Sequence, residues 1–167
     1  ESRPAGPTFV FVSSRGQSRD ICCDPRMRLA IVVVPSVAKA KATARRVSAL
    51  ADRLAERLAE PDAAYRVEVL EARGRLGERV EALLRESRPA GPTFVFVSSE
   101  LVLDEEGPAF ALAGDARLPL IDLRTTLAAH ADQVILVVDG RHVPDLDDPT
   151  LSATLIDAAR AAVEPRE

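Results

Sequence analysis

Hydroxyls, carboxylates, a guanidinium and an imidazole fall together after two apolar runs of this chain. Ser98, Ser99 and Glu100 follow Thr93–Val97, and Asp139, Gly140, Arg141 and His142 follow Gln133–Val138. In open α/β sheets ligands gather outside the carboxyl ends of the strands, so Ser98, Ser99, Asp139 and His142 form a candidate binding cleft, with Glu100 and Arg141 beside them. A serine hydrolase sets its nucleophile on a Gly-x-Ser-x-Gly elbow, and neither serine has that setting. A phospho-acceptor aspartate at 139 would need an acidic pair at the first strand to hold Mg²⁺, and that strand has none. His142 and His130 are the only histidines, and an imidazole with no cysteine partner is expected as a polar loop residue. Asp145, Asp147 and Asp148 offer the oxygens a hard cation wants, but without EF-hand spacing they read as a solvated loop with a helix cap. Cys22 and Cys23 lack a second Cys or His pair at zinc spacing and read as incidental reactive thiols. No metal and no cofactor is expected.

The elements that must position these groups alternate between strand and helix. Leu29–Val34 is a continuous apolar run, as expected for a strand covered on both faces. Ala38–Glu60 carries Val47, Leu50, Ala51, Leu54 and Leu58 at helical spacing, with arginines and Glu56 on the remainder. Pro61-Asp62 ends that helix, and Tyr65–Leu70 reads as a second strand. Leu76–Glu86 presents Val80, Leu83 and Leu84 as a second helix, and Pro89, Gly91 and Pro92 separate it from the third strand, Thr93–Ser99. A hairpin over Val102–Leu112, a helix over Asp122–His130 and a fourth strand over Gln133–Val138 follow. A last helix, Leu151–Val163, is opened by Asp148 or Thr150 and closed by Pro165. The pattern predicts a three-layer α/β/α fold with a mostly parallel sheet and a hairpin after the third strand.

Glu1–Ser14, ESRPAGPTFVFVSS, recurs identically as Glu86–Ser99. One isolated copy is no solenoid repeat; it is a partial duplication or an artefact of how the coding sequence was assembled. Met27 opens Met-Arg-Leu-Ala-Ile-Val-Val-Val, which resembles a normal start, so residues 1–26 are expected to be an appended segment and 27–167 the domain. The extra copy, Thr8–Ser14, has strand propensity without an assigned place; it is expected to add to a sheet edge, one of which should lie exposed beside Gln133–Val138, in its own chain or a neighbour's, and so promote self-association, the alternative being that it stays disordered.

The chain has 167 residues, 47% of them hydrophobic, enough for one core. A net charge of −4 with no uncompensated basic cluster argues against nucleic acid. No apolar run approaches a membrane span and no signal peptide is evident. Two adjacent cysteines without other partners fit a reducing compartment, so the expectation is a soluble cytoplasmic protein. There is no Gly-x-x-x-x-Gly-Lys-Ser/Thr loop, and Pro35-Ser36 stands where a dinucleotide fold keeps Gly-x-Gly-x-x-Gly, which disfavours nucleotide enzymes.

Ser98-Ser99-Glu100-Leu101 and Asp139-Gly140-Arg141-His142 stand where a caspase-like (clan CD) cysteine peptidase reads roughly Ser-x-His-Gly and Asp-x-Cys-His. Gly107-Pro108, Phe110 and Leu112 resemble that family's hairpin, and Asp115–Leu120 is similar to the segment leading into its third helix. The resemblance spans about Met27–His142 and covers the large-subunit half. It implies that Glu100 and Arg141 replace the catalytic His and Cys, and that Asp139 corresponds to an acid that helps some members hold a substrate Arg or Lys. Arg141 is expected to pair with Asp139 or Glu100. A thiolate and an imidazole are both required for that chemistry, so the implied function is an inactive pseudoenzyme acting as a protein-interaction, scaffold or regulatory module, with a protein partner or self-association. The alternatives are an endopeptidase completed by a partner chain or by Cys22 or Cys23, and an engineered or rearranged form of a once-active protease.

Overall fold

The computed structural model describes residues 8–14, 28–36, 41–61, 65–89, 91–105 and 107–141. They form an α/β fold with a mixed sheet. The elements are β1 (Thr8–Ser14), β2 (Leu29–Pro35), α1 (Lys41–Ala59), β3 (Arg66–Ala72), α2 (Leu76–Ser87), β4 (Thr93–Asp104), β5 (Gly107–Ala111), β6 (Arg117–Pro119), α3 (Leu120–His130) and β7 (Gln133–Arg141). The main path of the sheet runs β1-β7-β4-β2-β3, with β5 joined to β4 and β6 to β5.

Alternate residues of the inner strands supply two apolar clusters. Leu29, Ile31 and Val33 of β2, Val95 and Val97 of β4 and Leu136 and Val138 of β7 share one cluster with Leu76, Val80 and Leu84 of α2 and Leu120, Leu123 and Leu127 of α3. Val32, Val34 and Phe96 share the other with Ala51 of α1, and Leu54 packs against it. Because both faces of β2 are used, all six residues Leu29–Val34 are buried, which explains the unbroken apolar run. Each large side chain so buried contributes roughly 1.5–3 kcal/mol. β3 has a neighbour on one side only among the described residues, and its charged residues Arg66, Glu68 and Glu71 suit an edge.

The sheet departs from the mostly parallel expectation. β2 pairs with β3 and β4 in parallel, as does β4 with β7, but β1–β7, β4–β5 and β5–β6 are antiparallel. The antiparallel half comes from β1 and from the hairpin, whose arms are true members of the sheet. The third strand also fails to stop at Ser99. It continues to Asp104 because Glu100 exchanges one neighbour for another: β4 pairs with β2 only through Val97, and β5 then takes that side from Glu100 onward. Gly107, at φ 114, closes the turn where a side chain would be strained.

α3 begins at Leu120, earlier than the expected Asp122, directly behind the short β6 that sequence periodicity did not disclose. α2 starts and stops where its spacing predicts to within a residue, ended by Arg88 in a left-handed conformation whose N–H donates to the Leu84 carbonyl at 2.9 Å. The expected start of the first helix at Ala38 and the last helix, Leu151–Val163, lie outside the described residues. Thr8–Ser14 does take a sheet edge, pairing in register from Thr8↔Asp139 to Ser14↔Gln133.

Candidate functional site

The parallel register of β4 and β7 brings the two polar clusters side by side. Ser98 lies opposite Asp139, Ser99 opposite Gly140 and Glu100 opposite Arg141. On its other side Asp139 has Thr8 of β1 as its register partner. The backbones of β1, β7 and β4 thus run side by side at Asp139, which is half-buried near the carboxyl end of β7.

Both serine hydroxyls are committed to structure. Ser98 Oγ donates to Asp139 Oδ2 at 3.0 Å, and Ser99 Oγ donates to the Ala111 carbonyl of β5 at 2.7 Å. Ser98 is 0% exposed and Ser99 3%, so neither oxygen can meet a substrate without local opening. A side-chain hydrogen bond contributes about 1–2 kcal/mol, and the Ser98–Asp139 bond ties adjacent strands where the apolar packing ends. Glu100 is exposed. It lies within β4, at the residue flanked by both β7 and β5, rather than at the strand end the sequence suggested. Its register partner Arg141 closes β7, but the Arg141 side chain lies outside what the structure describes, as does the expected ion pair with Asp139 or Glu100. His142, Cys22, Cys23, Asp145, Asp147 and Asp148 also lie outside the described residues.

The structure brings Ser98 to Asp139 and turns the Ser99 hydroxyl to Ala111 of β5, so both serines are consumed as donors. The signal was present in strand parity: once β4 and β7 are neighbours in parallel, Ser98 and Asp139 follow Val97 and Val138 on paired positions. Among the described residues no group of three His, Cys, Asp or Glu side chains is placed to hold a metal ion. No described helix is long and apolar enough to cross a membrane.

At the opposite end of the sheet, Tyr65 precedes β3 and meets the Phe94 ring edge-on with centroids 6.4 Å apart. The Arg28 guanidinium carbon stands 6.0 Å from the Tyr65 ring centroid. Burial raises the Tyr65 phenol above its ordinary 10.0, and the Arg28 charge partly opposes that rise. This cluster is a packing feature, far along β4 from Glu100. A scan against family models finds no match to the chain, and a search of curated proteins finds none either.

Proposed function

We propose that this protein is a catalytically inactive caspase-like domain that works by binding other proteins, as a scaffold or regulatory module. The observation that carries this reading is the register of Glu100 with Arg141 on adjacent parallel strands. The resemblance assigns those positions to an imidazole and a thiol that must lie together, and the pairing of β4 with β7 supplies that proximity with the wrong side chains. The order of β4, the β5–β6 arms, α3 and β7 supports the same correspondence. Neither a carboxylate at 100 nor a guanidinium at 141 can supply a nucleophilic sulfur, and the nearby Ser98 hydroxyl is buried against Asp139.

The test is a peptidase assay on the full chain with Arg-, Lys- and Asp-directed peptides, beside labelling by cysteine-directed covalent inhibitors. No turnover is expected, with label confined to Cys22 or Cys23. Turnover that vanishes in Cys22→Ala or Cys23→Ala would instead establish a thiol protease that draws its nucleophile from the segment before β2.

A further inference from the structure

β1 and the first seven residues of β4 are the same heptapeptide, Thr-Phe-Val-Phe-Val-Ser-Ser, yet they are held very differently. β4 is flanked by β2 and β7 and then by β5, whereas among the described residues β1 pairs with β7 alone. All seven residues of β1 are in register with β7, and its contacts with other elements are concentrated there. Such an edge is recognised mainly through the backbone, which any copy of the same strand presents equally well.

The link between β1 and β2 leaves room for exchange. β1 runs antiparallel to β7, so Ser14 lies at the same end of the sheet as Leu29, separated by three strand spacings or about 14 Å. Residues 15–28 can extend to about 50 Å, so the link does not compel β1 to pair within its own chain. Closed and exchanged arrangements make the same β1–β7 pairs and differ in the path of the link and in concentration.

We infer that the outer edge of β7 is an exchangeable strand-addition site whose partner is β1 of a second copy of this chain, giving a reciprocally swapped dimer. This rests on the pairing of β1 and not on the caspase-like reading. A tethered strand competes at an effective concentration of about millimolar, so the closed monomer dominates when dilute and the swapped dimer grows as the chain is concentrated.

The experiment uses full chains on a Cys22→Ser/Cys23→Ser background. One chain carries Val12→Cys and another Ile135→Cys, residues that are register partners across β1 and β7. The two are mixed over a range of concentrations, incubated and oxidised. A disulfide-linked heterodimer should form in increasing yield with concentration, at least about ten-fold above a mixture of Val12→Cys with Leu103→Cys, an exposed position on β4 outside the register. A single chain carrying both Val12→Cys and Ile135→Cys should close internally when dilute. Heterodimer no greater than the off-register control at every concentration overturns the proposal, whether or not the double variant closes on itself. A second registered pair, Val10→Cys with Val137→Cys, repeats the measurement should the first pair prevent folding.

Discussion

Thr8–Ser14 and Thr93–Ser99 share every residue, flank the same strand β7, and point in opposite directions along it. The register of the phenylalanines shifts by one residue of β7 as a result. Phe94 and Phe96 lie opposite Ile135 and Val137, whereas Phe9 and Phe11 lie opposite Val138 and Leu136. The heptapeptide tolerates this because Phe and Val alternate and both faces are apolar, so no polar residue penalises either parity over its middle. What sets direction is the neighbouring chain. α2 delivers the chain to β4 as a crossover that demands a parallel neighbour. The link from Ser14 to Leu29 is shortest when β1 runs antiparallel. Strand propensity is thus a property of these residues, while place, direction and register belong to their flanks.

The sharpest way to break that contrast is a proline at equivalent positions. Val97 is 1% exposed, with Val33 and Val138 on either side. Val97→Pro should cost about 4 kcal/mol or more and prevent folding at modest temperature, because a central strand cannot lose a ladder bond and accommodate the ring. Val12→Pro interrupts an edge strand and should cost about 1–2 kcal/mol, the scale of one or two lost net hydrogen bonds. Urea midpoints of the two variants decide it. Equal losses would mean that β1 is as integral to the sheet as β4.

How far the sequence disclosed this arrangement depends on whether the needed information was local. Leu29–Val34 and the Leu76, Val80, Leu84 spacing carry their own burial pattern, and those elements stand close to where they were expected. The end of β4 did not show because Ser98-Ser99-Glu100 looks like a polar terminus. In the fold those serines are buried by hydrogen bonds to partners distant in sequence, and Leu101 resumes the core at 2% exposure. β6 is three residues long and ends in a proline, below any periodic signal. The candidate site was legible as a set of residues because polar groups follow two apolar runs. It was not legible as a network, since the Ser98–Asp139 pairing requires the register of two strands.

The polar ends of the two copies offer a smaller contrast. Ser98→Ala removes the donor to Asp139 and leaves that carboxylate with one bond fewer at a half-buried position, so about 1–2 kcal/mol should be lost. Ser13→Ala changes the equivalent residue of the edge strand, whose register partner is the apolar Val134, and should stay within about 0.5 kcal/mol of the parent. Equal effects would mean that the Ser98–Asp139 bond contributes no more than an edge hydroxyl. A loss several-fold larger for Ser98→Ala would tie the β4–β7 register to this one polar contact.

The smallest expected effect reads the amino end of β4 through Tyr65, which packs against Phe94. Burial raises its phenol pKa, so the neutral form is favoured in the folded chain relative to the unfolded one. For a group whose folded pKa lies above its unfolded value, the contribution to stability is complete below the unfolded pKa and falls as pH climbs through the interval up to the folded pKa. The wild-type chain should therefore lose stability above about pH 10 more steeply than Tyr65→Phe, which keeps the ring and removes the titrating hydroxyl. The chain has one tyrosine and no tryptophan, so its near-ultraviolet phenolate absorbance belongs to Tyr65 alone. Folded protein should titrate at higher pH than protein in denaturant, and Arg28→Ala should move the folded midpoint further upward by removing the opposing charge. Coincident folded and denatured titrations would mean that Tyr65 is solvated and that the Phe94 end of β4 is open.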